Sequence, residues 1–136
     1  MDLETKILSK SIQELLYNSD KKIGTAESCT GGRLAEALIA VPGSSNYFNG
    51  SIIAYTNEVK ENLLGVDHQV LEEQTAVSEE VARQMVLGAI KTLRVDFAVA
   101  VTGVAGPAGG TPENPVGTIW IGYGCNTDVR TWKLSE

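Results

Sequence analysis

Three stretches of this 136-residue chain gather side chains able to do chemistry. The first, TAESCTGG from Thr25 to Gly32, sets Ser28, Cys29, Thr30 and two glycines where an extended segment hands over to a helical one. Hydroxyls there can cap the helix, unpaired amides point outward, and Gly31 and Gly32 let a ligand approach the backbone. The turn therefore reads either as an anion site or as an ordinary capped helix start. It lacks the Lys-Ser/Thr ending of a phosphate loop. Glu27 is an odd neighbour for phosphate and better suited to ribose hydroxyls or a cationic ring. Cys29 is a candidate thiolate at a helix N-terminus, ranked below Ser45 because no histidine lies near it in sequence. The second stretch, from Pro42 to Lys60, holds Ser44 and Ser45, then Tyr55 and Lys60 around a strand end. Those types suit a serine-lysine hydrolase centre. The only histidine, His68, stands in the polar run VDHQV, so a serine-histidine-acid triad finds no support. Lys60 in the first turn of a helix opposes the dipole, which favours its neutral form, while Glu58 and Glu61 push the other way. Loop serines, a core tyrosine and a solvated lysine fit the same residues. The third stretch, Thr102 to Thr118, carries five glycines and three prolines, Gly103 and Gly106 among them, after an apolar strand. A long unstructured connection at a strand end favours a binding role over a mere linker.

The elements that must position these residues follow from periodicity. Leu3, Ile7, Leu8, Ile12, Leu15 and Leu16 predict an amphipathic helix over 3–17. A strand over 22–26 and a helix stopping near Pro42 and Gly43 make a strand-turn-helix unit. Residues 48–56 predict a strand, with Asn57 capping a short helix through Leu64. Ser78, Glu79 and Glu80 start a helix whose apolar face runs Val81, Met85, Val86, Ala89, Ile90, Leu93. DFAVAVT, 96–102, has the composition of a central strand covered on both faces. Strands over 117–125 and 129–134, joined by the turn signal NTD, predict a hairpin. Helices alternate with strands early and strands pair late, so an α/β fold with a mixed sheet in one domain over 1–136 is expected.

Composition narrows the function classes. A net charge of −6 and no local Lys/Arg cluster argue against nucleic acid as a partner. Apolar runs fall short of a membrane span, and the acidic opening residues predict no secretory leader. Two cysteines read as free thiols, which fits the cytoplasm. One histidine and two distant cysteines predict no zinc site, and no carboxylate spacing predicts another metal.

Together TAESCTGG, GSSNYFNGSIIAYTNEVKENLLGV, TAVSEEVARQM and DFAVAVTGVAGPAGGTPENPVGTIWIG, in order from about Ile23 to Gly122, resemble the CinA C-terminal domain family. The resemblance implies a three-layer α/β/α sandwich with a mixed sheet of about five strands, assembled as a dimer or larger homo-oligomer. It implies an amidohydrolase that converts nicotinamide mononucleotide to nicotinic acid mononucleotide and ammonia, with no cofactor. Carried across, Ser45 is the nucleophile, with Tyr55 and Lys60 as acid-base partners. Ser28, Thr30, Gly31, Ser44, Thr102, Gly103 and Gly106 fall to the nucleotide substrate site, with amides of the GSS loop or the 102–106 turn as oxyanion donors. Family members normally continue beyond the last strand into a segment with arginines and a closing helix, whereas the given chain ends at Glu136. Its lack predicts uncovered apolar surface and the loss of a phosphate-binding arginine. The alternative is a nucleotide-binding or oligomerisation module without turnover.

Overall fold

A computed structural model describes residues 1–104, 111–112 and 114–134. Its elements are α1 (Leu3–Leu16), β1 (Ile23–Glu27), α2 (Arg33–Ile39), a 3-10 turn at Ser44–Asn46, β2 (Phe48–Ile53), α3 (Asn57–Leu64), α4 (His68–Gln74), α5 (Glu79–Leu93), β3 (Phe97–Gly103), β4 (Ile119–Cys125) and β5 (Asp128–Leu134). The strands form one sheet in the order β2-β1-β3-β4-β5. β1 runs parallel to β2 and β3, while β4 and β5 are antiparallel, so the sheet is mixed as the late strand pairing predicted. α5 lies across one face and α2 packs on β1 and β2, giving the three layers of an α/β sandwich.

Register brings the chemistry together. Glu27 is level with both Ile53 and Val101, so the three parallel strands end in line. The chain leaves β1 to one side through α2 and returns on the other through α5, which opens a crevice beyond those ends. The core fills the α5 face. Val81, Met85, Val86 and Ala89 pack against Ala26, Ile52, Ala98 and Ala100, with Leu64, Val66 and Leu71 closing the far side. Gly122 permits this approach, because a Cβ there would stand 2.8 Å from the Ala82 carbonyl.

Several local expectations shift. Thr56, not Asn57, caps α3, accepting from Val59 N at 3.2 Å. β2 correspondingly stops at Ile53, where the chain turns. α4 was not legible in the polar run around His68; Asp67 caps it by accepting from Gln69 N, and Leu71 is its one buried residue. α1 forms where predicted, but Leu3, Ile7, Leu8 and Leu15 face outward and its buried residue is Ser9. The face of β3, β4 and β5 turned from α5 also carries exposed apolar side chains, Phe97, Tyr123, Leu134 and Trp132, the last 60% exposed. No helix among the described residues is long and apolar enough to cross a membrane.

Candidate active site

At the end of β1 the backbone N–H of Ser28 donates to Val101 O at 3.0 Å, continuing the β1–β3 ladder one residue past the strand. This leaves the Ser28 side chain, nearly buried, at the mouth of the crevice. α3, which packs on α5, sends Lys60 inward until only 2% of it is exposed. Lys60 Nζ lies 3.1 Å from Ser28 Oγ and donates to Ala54 O at 2.9 Å. No carboxylate pairs with it among the described residues. Burial therefore holds the amine below the ordinary lysine range, and a charged Cys29 would offset this only in part. Glu61, one of two acids expected to keep Lys60 charged, is turned away to His68 at 2.9 Å. The cause of the shift is thus burial rather than the helix dipole alone.

The TAESCTGG turn is built around an internal anion. Glu27 is fully buried, and its carboxylate accepts from Gly32 N (3.2 Å), Leu34 N (2.9 Å) and Ala35 N (2.9 Å) at the start of α2. Thr30 Oγ1 donates to it at 2.8 Å and Thr25 Oγ1 at 3.0 Å. The helix start that sequence offered to a ligand phosphate is therefore occupied by the protein's own carboxylate. Burial raises the Glu27 pKa, but these hydrogen bonds outweigh it and hold the group below the ordinary glutamate range. Gly31 and Gly32, at φ of 59° and 106°, supply the left-handed conformations the turn requires. A Cβ on Gly31 would meet nothing within 4 Å, so the space above it is open. Cys29, half-buried beside the pair, is pushed above the ordinary thiol range by burial despite Lys60 and Arg33. Burial thus outweighs the thiolate-favouring shift expected from a helix N-terminus.

The remaining expected residues divide. Tyr55 lies on the turn between β2 and α3, on the same edge as Lys60, and is 72% exposed. Thr102 is the penultimate residue of β3 at this edge, but its hydroxyl donates to Ala76 O at 2.8 Å and ties the approach to α5 against β3. Gly103 closes β3 where a Cβ would stand 2.7 Å from Thr118 O, so it admits the returning chain. Gly106 lies outside the described residues. Ser44 and Ser45 stand before β2, at the opposite end of the sheet from Tyr55 and Lys60. Six strand residues at about 3.3 Å each separate the two ends by roughly 20 Å. Ser44 Oγ donates to Ile39 O, and Ser45 is exposed with no side-chain hydrogen bond to Lys60 or Tyr55 among the described residues. The structure thus brings Ser28 to Lys60 and leaves Ser45 apart within one chain. No group of three or more metal-ligating side chains stands together among the described residues.

A family model described as the CinA C-terminal domain matches residues 5–135. A CinA-like protein of Leptospira borgpetersenii serovar Hardjo-bovis is 48% identical over 120 residues, covering 88% of this chain and 29% of that protein. A putative competence-damage inducible protein of Halothermothrix orenii is 45% identical over 129 residues, covering 94% and 31%. The chain thus spans about three tenths of the length of these relatives. A competence/damage inducible protein of Agrobacterium tumefaciens superposes with a TM-score of 0.94 at 38% identity, covering 98% of this chain and 84% of the other. A CinA superfamily protein of Escherichia coli superposes with a TM-score of 0.92 at 34% identity, covering 97% and 77%.

Proposed function

This chain belongs to the CinA C-terminal domain family, and from that premise we propose that it is an amidohydrolase converting nicotinamide mononucleotide to nicotinic acid mononucleotide and ammonia. One observation carries the chemistry: Ser28 Oγ lies 3.1 Å from an amine that burial keeps below the ordinary lysine range. A neutral Lys60 accepts the Ser28 proton as Oγ attacks the carboxamide carbon. The resulting ammonium returns that proton to the departing nitrogen, so ammonia leaves and a nicotinoyl ester remains on Ser28. Water then attacks the ester with Lys60 again as base. The N–H groups of Cys29 and Thr30 have no backbone partner among the described residues and are the nearest in sequence to the reacting oxygen. They are better placed as oxyanion donors than the GSS loop at the far sheet end, and one such donor is worth roughly 3 kcal/mol. Tyr55 at the rim and the open space above Gly31 suit the pyridine ring and ribose. In this reading Ser45 is not the nucleophile of its own chain's Lys60.

The test is ammonia release from nicotinamide mononucleotide by the parent, Ser28→Ala and Ser45→Ala, without added metal. Release by the parent and Ser45→Ala but not by Ser28→Ala supports the reading. Silence from all three with ligand still bound points to a binding module. Loss in Ser45→Ala alone moves the nucleophile to Ser45, which would then have to meet Lys60 across an interface between two copies.

A further inference from the structure

Among the described residues Glu27 is the most heavily bonded side chain, and it takes no part in the chemistry above. Its neighbours explain why a fully buried carboxylate stands there. Oε1 accepts from Thr30 Oγ1, Gly32 N and Leu34 N, while Oε2 accepts from Ala35 N and Thr25 Oγ1, with Ser51 Oγ at 3.4 Å. Three partners belong to the first turn of α2 or the glycine before it, one to the Ser28–Gly32 turn, and two to the adjacent strands β1 and β2. One carboxylate therefore fixes three elements that must agree if Ser28, the very next residue, is to face Lys60. The backbone of Glu27 adds a fourth tie, its carbonyl accepting from Ala54 N at 2.7 Å. Ala54 is also the residue whose carbonyl holds Lys60 Nζ.

We propose that Glu27 is a positioning residue, whose ionised carboxylate locks the turn so that Ser28 Oγ is held against Lys60 Nζ. The inference rests on the Ser28–Lys60 reading. Only an ionised carboxylate accepts from all these donors; an amide in its place would turn an NH2 group toward at least one of them. The same occupancy means that substrate phosphate is not held by the amides of α2.

The experiment follows sulfonylation by phenylmethanesulfonyl fluoride, a probe needing no knowledge of the substrate. Ser28 Oγ forms a bond to sulfur, the S–F bond breaks, fluoride leaves, and Lys60 takes the hydroxyl proton and passes it to solvent. Labelling is read by peptide mass against pH, on protein shown folded by circular dichroism. The parent labels at Ser28 and Ser28→Ala does not. Glu27→Gln labels roughly tenfold to a hundredfold more slowly, the scale of a misplaced reacting atom, with the pH midpoint set by Lys60 unmoved. Thr30→Val, which removes one tie between turn and carboxylate, slows labelling by a smaller factor. A folded Glu27→Gln that labels at the parent rate, with only its Tm lowered, makes Glu27 merely structural and overturns the proposal. If Glu27→Gln does not fold, Thr30→Val decides: parent-rate labelling in the folded variant overturns it. A parent that never labels at Ser28 removes the reacting pair itself, and this inference with it.

Discussion

Ser28 and Ser45 are both small hydroxyl residues in short turns bordering a parallel strand, and the fold treats them in opposite ways. Ser28 follows β1, is 7% exposed, and meets a buried amine. Ser45 precedes β2 and faces outward. Local sequence does not separate them, since GSSN is at least as good a nucleophile motif as ESCT. What separates them is the polarity of a parallel sheet. Loops at the carboxyl ends of neighbouring strands converge on one crevice, while the loops that lead into the strands gather at the opposite edge.

The largest effect that tests this contrast is the loss of ammonia release in Ser28→Ala, expected at about a thousandfold or more, against a change within about twofold in Ser45→Ala. Equal losses would erase the distinction. Next comes Lys60→Met, expected to slow turnover by about a hundredfold or more as a missing base while leaving the folded protein at least as stable near neutrality. The parent rate rises with pH through a midpoint below the ordinary lysine range and then levels, because the neutral amine is the working form. Stability has a matching signature. Between the depressed folded pKa of Lys60 and its unfolded value the unfolded chain holds more protons, so stability rises with pH there, and this rise is absent in Lys60→Met. Glu27 gives the same sign of slope in a lower window: its stabilisation is fully present above the ordinary glutamate range and is lost as pH falls through its lowered folded pKa.

Two smaller effects probe how Lys60 is aimed. A Cβ at Gly88 on α5 would collide with the Leu64 carbonyl at the end of α3. Gly88→Ala is expected to cost about 2–3 kcal/mol in chemical denaturation and to lower turnover by shifting α3. Thr56→Ala removes the α3 cap and is expected to cost about 1 kcal/mol, with a modest change in rate. A larger rate effect from Thr56→Ala than from Gly88→Ala would show that the helix start, not its packing, aims the lysine.

Much of the framework was legible in the chain. The 3.6-residue pattern through Val81, Met85, Val86 and Ala89 marked α5, and the unbroken DFAVAVT run marked the middle strand, because burial on one or both faces writes itself into local composition. α4 escaped because seven residues with few apolar positions leave no period to read. The outward stripe of α1 escaped for another reason: periodicity shows that a helix has an apolar face, not what that face meets. Of the site, Lys60, Ser28 and the TAESCTGG turn were singled out from sequence. Their pairing was not, because Ser28 and Lys60 are joined only through register between β1 and β2.

The sequence by itself determined the residue types, the alternation of strands and helices, and the small-residue turn that must end β1. Only the tertiary structure decided which serine meets the lysine and which anion fills the start of α2. Hydroxyl, amine and carboxylate acquire their roles from burial and from neighbours far along the chain, and those distances are fixed when the strands align.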